Sequence, residues 1–248
     1  MTEIGPRVVM VEPQNPANIG FIARVLANFG AGAWAQLGGP DWRGTEAERT
    51  GAAALDRLEQ LRRVETWPEA VADCTHLIAF TARSGKYRRG IPLQKLMDLR
   101  TEWGRQARVG LVFGREDRGL ESAEVDRCTA CITIPTAGLI AGSPTTESTP
   151  SADGLTSLNL SHAVAVALYE WNRVEQIQVD DESPTWAETE ARRRLLRKLQ
   201  QELEAVEFPS ANSELADLMR RLESVPVETR DLRVLERMIR HARHRRGG

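Results

Sequence analysis

The sequence lacks a long apolar run, a strong excess of one charge and a set of cysteines large enough for a disulfide framework. No apolar run approaches the ~18 residues of a membrane span, and the first residues lack the cationic and then apolar pattern of a signal peptide. The formal net charge of the 248 residues is −2, so any basic footprint for a nucleic acid has to be local. Three cysteines fit a reducing compartment. We therefore expect a cytoplasmic protein with no membrane partner.

The first strand and helix also lack the glycine motifs that bind nucleotide phosphates. Neither G-x-G-x-x-G nor G-K-[ST] occurs there, and no acidic residue follows the second strand where a dinucleotide ribose would need one. Both absences count against a dehydrogenase, which is one alternative for a chain of alternating strands and helices. Calorimetry with competing cofactors would separate that alternative from others.

The first helix carries an arginine where a phosphate loop would be expected. Ile19, Ile22, Leu26 and Phe29 form its apolar stripe, and Gly30 supplies a left-handed stop. Arg24 lies almost opposite that stripe, with Gly20 and Ala27 near it. Small residues allow another backbone or a ligand to approach closely. The alternative is a solvated arginine on an amphipathic helix.

Cys128 and Cys131 form a single C-x-x-C pair. A structural zinc site needs a second pair of ligands, and the four histidines have no suitable spacing to supply it. Cys131 also begins the apolar run CITIP, which resembles a buried strand. We expect core packing for both thiols and no metal site.

The apolar pattern predicts an α/β fold with a parallel sheet and helices on both faces. Apolar strand candidates alternate with helical or polar stretches, as expected when crossover helices cover such a sheet. The strand candidates are 8–11, 33–37, 76–80, 109–113 and 131–134, and the intervening stretches include 17–29, 46–61, 67–73 and 121–127. A long Ser/Thr/Pro/Gly loop then precedes an apolar helix over 157–171, which we expect to be buried or sandwiched between two bodies.

The composition changes near residue 176. A polar, acidic segment, 177–185, separates residues 1–176 from a region of helical periodicity, 186–248. We predict an α/β domain, a linker and a small all-α domain of about three helices.

Four segments begin at the carboxyl ends of predicted strands, the edge at which open α/β sheets bind ligands. They are 15–30, 81–90, 111–120, and 134–135 with the later stretch 157–170. Together they describe a cofactor pocket. Simpler interpretations stay open: Ser157 as a helix N-cap, Asn159 as local helix-start bonding, and Glu116 as a solvated carboxylate or a partner of Arg115 or Arg118. We expect His162 to be packed or capped.

Three motifs together resemble the SPOUT superfamily of RNA methyltransferases, its TrmH-like group and, within that group, the TrmJ branch that methylates tRNA. The motifs are N-x-G-x-x-x-R-x-x-x-x-F-G at 18–30, F-G-x-E-x-x-G-L at 113–120 and S-L-N-L-S at 157–161. The T-x-R segment at 81–83 also matches the branch. The resemblance covers residues 7–172 and is looser beyond them.

The resemblance implies a trefoil knot at the C-terminal end of the sheet, an exception to the rule against knots. It implies a homodimer whose sites are completed by residues of the first motif. The implied donor is S-adenosylmethionine, without a metal, and the implied acceptor is a ribose 2′-OH of RNA, with a tRNA anticodon-loop nucleotide expected. An rRNA target, or a non-catalytic RNA-binding protein of the same fold, is the alternative.

The resemblance also implies roles for single residues. We expect Arg24 to grip a phosphate and orient the ribose, because a guanidinium with a pKa above ~12 is a poor base. Asn18 is expected to position the nucleotide, while Ser157 and Asn159 order the site. The expected donor contacts are Phe80, Thr81, Ala82, Gly114, Glu116, Ile134, Thr156, Ser157 and Leu158.

The C-terminal segment supplies a local basic footprint. Residues 228–248 hold seven arginines against three acidic residues, a net charge of +4. One predicted helix face carries Arg230, Arg233, Arg237 and Arg240, and another carries Leu232, Leu235, Ile239 and Ala242. We expect a phosphate-binding face, the alternatives being a solvated bundle face or a membrane or protein contact. The segment 83–90 adds four cations and Tyr87, which could stack on a base.

Overall fold

The structure is a computed structural model that describes residues 5–82, 90–137, 157–175, 185–205 and 213–246. It contains a seven-stranded sheet of order β3-β2-β1-β6-β4-β7-β5. Every strand pairing in this sheet is parallel. The strands are β1 (Arg7–Val11), β2 (Trp34–Leu37), β3 (Arg62–Val64), β4 (His76–Phe80), β5 (Ile91–Pro92), β6 (Val109–Phe113) and β7 (Ala130–Thr133).

The five predicted strands and their parallel arrangement are confirmed, and two short edge strands were not predicted. β3 carries two exposed arginines and a half-buried valine, so it lacks the apolar run that marks the other strands. β5 has only two residues. Both strands form because a neighbour at the sheet edge pairs with them, which their own sequences do not indicate.

Seven helices accompany the sheet in the described residues before the C-terminal region. They are α1 (Pro16–Phe29), α2 (Glu46–Thr50), α3 (Leu55–Glu59), α4 (Trp67–Val71), α5 (Leu96–Trp103), α6 (Ser122–Asp126) and α7 (Leu160–Glu175). The predicted end of α1 is confirmed, since Gly30 has a φ of 62° and its N–H bonds the carbonyl of Leu26. The stretch 46–61 is divided among α2, a 3₁₀ turn (Ala52–Ala54) and α3.

Two buried clusters cover the two faces of the sheet, because neighbouring residues of a strand point to opposite sides. Val8 and Met10 of β1 belong to the cluster that α1, α5 and α7 cover. Val9 and Val11 belong to the cluster that α4 and α6 cover. The prediction of helices on both faces is confirmed. Residues 138–156, where the implied knot would lie, are outside the described residues, so the knot stays a prediction.

Three C-terminal helices follow: α8 (Thr189–Glu204), α9 (Ser213–Ser224) and α10 (Thr229–Arg246). The start of this region is bonded to the amino edge of the sheet. Thr189 donates from its backbone N and its Oγ1 to the carbonyl of Cys74, at 2.7 and 2.6 Å. Arg192 donates to the carbonyl of Thr75 at 2.7 Å, and Trp186 Nε1 donates to that of Trp103 at 2.7 Å. The predicted linker lies outside the described residues except for Thr185, so the domain boundaries stay predictions.

None of the helices in the described ranges combines the length and the apolar character that crossing a membrane requires.

Candidate active site

Three neighbouring strands bring several predicted donor contacts to one edge of the sheet. β4 pairs with both β6 and β7, so Phe80, Gly114 and Ile134 lie at or just after adjacent carboxyl ends. The rings of Phe80 and Phe113 stack with their centroids 4.9 Å apart. Thr81 donates its N–H to the carbonyl of Ile132 at 3.1 Å. The predicted convergence of these strand ends is confirmed.

The loop after β6 folds back tightly because two of its residues are glycines. A Cβ added to Gly114 would lie 2.2 Å from the carbonyl carbon of Gly119, so no side chain fits there. Gly119 has a φ of 68°, in the left-handed region that glycine adopts without strain. The turn closes through the N–H of Gly119, which donates to the carbonyl of Arg115 at 2.8 Å. The glycines of the second motif therefore shape this turn.

Glu116 joins the second motif to the first. Its Oε2 accepts from the N–H of Gln14 at 2.7 Å. Its Oε1 accepts from the N–H of Asn15 at 3.1 Å and from Asn18 Nδ2 at 2.8 Å. The carboxylate is thus neither free in solvent nor paired with Arg115 or Arg118. It fixes the chain between β1 and α1 and holds the side chain of Asn18, which is buried.

Arg115 forms a second tie between the same two loops. Its guanidinium donates to Glu12 Oε2 at 2.7 Å and to the two carboxylate oxygens of Glu124 at 3.1 and 3.2 Å. The hydrogen bond from Arg115 lowers the pKa of Glu12 below its usual range, and the pKa of Arg115 is raised by the same pairing. Arg115 is buried. Glu12 and Arg115 therefore stay charged at neutral pH.

Arg24 does not join this cluster within one chain. Its side chain is exposed, and no hydrogen bond or ion pair links it to any residue that the structure describes. Six residues separate it from Asn18, which places it roughly 9 Å further along α1, away from the carboxyl edge. The close approach predicted near Gly20 is made by α2 of the same chain, since a Cβ on Gly20 would lie 2.1 Å from Thr50 Oγ1.

The third motif begins α7, and Asn159 fills the capping position. Asn159 Oδ1 accepts from the N–H of Ser161 at 2.9 Å and from its hydroxyl at 2.8 Å. The simpler interpretation of Ser157 as the N-cap of this helix is wrong, because the helix begins at Leu160 and Asn159 lies directly before it. Ser157, Leu158 and Asn159 are exposed, and Leu160 packs into the same buried cluster as Phe80.

Two other predictions about single residues can be compared with the structure. His162 was expected to be packed or capped, but its side chain is exposed, so that prediction is wrong. It lies on the outer face of α7, whose inner face is filled by Val164 and Leu168. Ala82 is also exposed beyond β4. Thr156 and the basic segment 83–89 lie outside the described residues, so nothing here places them.

The C-x-x-C pair is buried as predicted. Cys128 and Cys131 are free thiols in the core on the α4–α6 face. Burial raises the pKa of Cys131 to about 11, so this thiol is protonated at neutral pH. In the part of the chain that the structure describes, no group of three or more His, Cys, Asp or Glu side chains could hold a metal ion.

Sequence reasoning missed the three charged residues Glu12, Arg115 and Glu124. Glu12 lies about a hundred residues from the other two, and the three follow no helical or strand period, so spacing could not connect them. A usable signal was present, since Glu12 directly follows one buried strand and Arg115 comes shortly after another. Opposite charges placed at the ends of adjacent parallel strands are expected to meet.

The sequence matches the SpoU rRNA Methylase family over residues 5–142. It is 34% identical over 167 residues to the "tRNA (cytidine-2'-O-)-methyltransferase TrmJ" of Methanocaldococcus jannaschii, covering 66% of this chain and 65% of that protein. It is 30% identical over 252 residues to the "tRNA (cytidine/uridine-2'-O-)-methyltransferase TrmJ" of Klebsiella pneumoniae, covering 94% of both chains. The chain thus spans slightly less than two thirds of the first relative and nearly all of the second.

Solved structures show the same fold. TrmJ from Z. mobilis superposes with a TM-score of 0.72 at 26% identity, covering 95% of this chain and 98% of that one. A structure described as "Structural insights into the 2-OH methylation of C/U34 on tRNA" gives 0.51 at 25% identity, covering 68% and 95%. AviRb from Streptomyces viridochromogenes "in complex with the cofactor AdoMet" gives 0.50 at 22% identity, covering 71% and 62%, a likeness of fold alone. With its parallel sheet and its match over more than half of the chain, the protein belongs to the SpoU rRNA Methylase family.

Proposed function

We propose that this protein is an S-adenosylmethionine-dependent RNA methyltransferase that methylates a ribose 2′-OH of tRNA, in the anticodon loop. The observation that carries the proposal is the set of three hydrogen bonds that Glu116 accepts from residues 14–18. Through them two family motifs, distant in sequence, form one site at the carboxyl edge of the sheet. The relatives of similar sequence are named as tRNA 2′-O-methyltransferases, which supports the substrate class.

We place the adenine base of the donor on the apolar surface at this edge. Ile134 is partly exposed and Leu158 is 38% exposed, so we assign this apolar surface to the base, beside Ala82 at the end of β4. Bound S-adenosylmethionine would supply a methyl group on a sulfonium. Glu116 is already engaged by three donors, so we assign it to holding the loop rather than to contact with the donor.

The chain's own residues then have to orient the acceptor and accommodate one proton. Arg24 carries a planar guanidinium that can form two parallel hydrogen bonds to a phosphate. Gripping the phosphate next to the target ribose would aim the 2′-OH at the methyl group. The proton would leave by way of that phosphate or a water molecule, since an arginine is a poor base. Asn18 serves this step indirectly, through Glu116, and Asn159 fixes the start of α7.

A homodimer would supply what one chain lacks. Arg24 lies roughly 9 Å along α1 from Asn18, on an exposed face that also carries Phe21, which is 43% exposed. Tyr169 of α7, 60% exposed, lies beside Phe29 of α1 with ring centroids 6.5 Å apart. Exposed aromatic residues on two adjoining helices are typical of an interface. We propose that a second copy covers this surface and brings Arg24 to the partner's donor site.

We further propose that α10 contributes to tRNA binding. Arg233, Arg237 and Arg240 are exposed and have no ion pair with any described residue, so their charges are available for phosphates. Arg243, in contrast, is paired with Glu202 at 2.6 Å. The expected apolar face is only partly buried: Leu232 and Ile239 pack on α8, whereas Leu235 is 42% exposed. The trefoil knot and a cytoplasmic location remain parts of the proposal.

The test is methyl transfer from labelled S-adenosylmethionine to tRNA and to rRNA by the purified protein, followed by nucleoside mass spectrometry. We expect a 2′-O-methylated nucleoside from the tRNA anticodon loop. Arg24→Ala should lower the single-turnover rate at least ~100-fold, because orientation of the acceptor is lost, and Arg24→Lys should restore little. Arg62→Ala, an exposed arginine on the edge strand β3, is the control and should act like the wild type.

Three results would contradict the proposal. Methylation of rRNA alone would move the substrate to the alternative class. RNA binding without any methyl transfer would favour a non-catalytic binding protein. A monomer by light scattering at micromolar concentration, with full activity, would remove the role given to the partner copy.

A further inference from the structure

The positively charged side chain of Arg115 is buried between the β1–α1 loop and the β6–α6 loop. Its side chain is 5% exposed, and it bonds Glu12 on one side and Glu124 on the other. Glu124 Oε2 also accepts from the N–H of Glu121, at the first turn of α6. One guanidinium thus connects the end of β1 to the start of α6.

Glu12 has a strained backbone at the point where the chain leaves β1. Its φ is 45°, and among the described residues other than glycine it alone has a positive φ. Such a conformation persists only where neighbouring groups hold it. Two contacts do so here: the N–H of Glu12 donates to the carbonyl of Leu37 at 2.8 Å, and the carboxylate accepts from Arg115.

Arg115 and Glu116 are neighbours in the chain, and their contacts hold the two ends of the loop that leads into the first motif. Arg115 holds Glu12 at one end of this loop, and its neighbour Glu116 holds Asn18 at the other. The strand pairing of Met10 with Phe113 lies before both ties and does not depend on them. Removing the cation would therefore release the Glu12 end of this loop, while Glu116 still holds Gln14, Asn15 and Asn18 and the sheet stays in place.

We propose that Arg115 is a positioning residue for the methyl-transfer reaction, acting through Glu12 on the loop that precedes Asn18. The inference rests on the proposed function and adds a residue to the same site. Without Arg115, the carboxylates of Glu12 and Glu124 would lose their shared cation. Arg118 lies 3.8 Å from Glu12 but is about half exposed, so it cannot replace the buried contact.

The experiment compares Arg115→Met with Arg118→Met, two arginines of one loop near the same carboxylate. For each full-length variant we would measure the single-turnover rate at saturating donor and tRNA, the donor Kd by calorimetry, the Tm, and hydrogen exchange of residues 12–18. We expect Arg115→Met to lower the rate at least tenfold, with a donor Kd within about threefold of the wild type. Arg118→Met should stay within about twofold in both. Arg115→Lys should restore only part of the rate. The lysine keeps the positive charge, but an ammonium cannot bind two carboxylates in the planar geometry of a guanidinium.

Each outcome decides the matter. A rate for Arg115→Met within twofold of the wild type overturns the proposal, and so does a rate loss matched by an equal loss of donor binding or of folded protein. If Arg115→Met does not fold, Glu12→Gln replaces it, and wild-type kinetics for that variant would overturn the inference. If the wild type itself transfers no methyl group, the proposed function fails. Faster exchange of residues 12–18 in Arg115→Met, but not in Arg118→Met, would still support the holding role.

Discussion

His76 is a histidine that the fold keeps neutral, and this makes the protein sensitive to mild acid. Its ring is fully buried at the amino end of β4, stacked on Trp103 with centroids 4.4 Å apart and edge-on to Trp186 at 5.0 Å. Nδ1 lies 2.9 Å from Thr75 Oγ1, and Nε2 has no partner among the described residues. Burial, together with the charges of Arg192 and Arg100, lowers the pKa of His76 to about 3.

The effect on stability follows from the difference between the folded and unfolded pKa of this ring. In the unfolded chain the imidazole titrates near its ordinary pKa of about 6.5. Between that pH and about 3 the unfolded state binds one more proton, so the free energy of unfolding falls as the pH falls. From pH 7 to pH 5 the loss due to His76 is ~2 kcal/mol. That is a sizeable part of the 5–15 kcal/mol expected for a folded domain, as an order of magnitude.

The assay is urea unfolding at several pH values between 7 and 5. His76→Gln removes the titrating group, so the wild type should lose ~2 kcal/mol more than this variant over that range, even if the variant is less stable at pH 7. His162→Gln, at an exposed histidine, should keep the pH dependence of the wild type. Parallel pH profiles for the wild type and His76→Gln would refute the reasoning, because they would mean that His76 can be protonated in the folded protein.

Three more predictions concern the turn after β6, the C-terminal helices and the metal. Gly114→Ala should lower the free energy of unfolding by ~3 kcal/mol or more, because its Cβ would overlap the backbone of Gly119. Gly30→Ala has open space around its Cβ but a φ of 62°, so it should lower the free energy of unfolding by only ~1 kcal/mol in the same urea titration. Truncation after Arg173 should lower the Tm and the stability by ~3 kcal/mol or more, since it removes Trp186 and the buried hydrogen bonds that follow it, and an unchanged Tm would contradict the observed docking. EDTA should leave methyl transfer unchanged, and a loss restored by added metal would refute that.

The buried strands could be predicted because their signal is local. β1, β4 and β6 are short apolar runs in which every residue is buried, and alternation with helices indicates a parallel sheet. The strand order could not be predicted in this way. Nothing in the sequences of β4 and β6 indicates that they are neighbours in the sheet, and β3 forms only because β2 pairs with it. Pairing between segments distant in the chain decides the strand order and the formation of β3.

The site was predictable as a set of segments and not as a set of contacts. The motif spacing predicted that Glu116, Asn18 and the strand ends lie at one site. In the structure a hydrogen bond joins Asn18 to Glu116. Roles were harder to foresee, because a carboxylate that binds a cofactor and one that binds two backbone N–H groups look alike in sequence. Ser157 illustrates the same limit, since a shift of two residues in the helix start gives the cap to Asn159.

The position of the C-terminal helices bears on how RNA could reach the site. Thr189 and Arg192 bond to carbonyls just before β4, and Trp186 bonds to the last residue of α5, which precedes β6, whereas the proposed donor site lies at the carboxyl ends of the strands. Five-residue strands separate these edges by roughly 17 Å. The basic face of α10 therefore starts near the amino edge of the sheet, opposite the donor site of the same chain. An RNA bound at that donor site would have to pass around the sheet to reach it. If α10 binds the RNA, the proposed dimer offers another arrangement. In it, α10 of one copy contacts a substrate that is held at the donor site of the second copy. Mixing Arg24→Ala with a variant that lacks Arg233, Arg237 and Arg240 would test this arrangement. If both Arg24 and α10 act on the partner's site, each site of the heterodimer lacks one of them and activity stays lost. Recovered activity would contradict the arrangement, because it requires α10 to act on the donor site of its own chain.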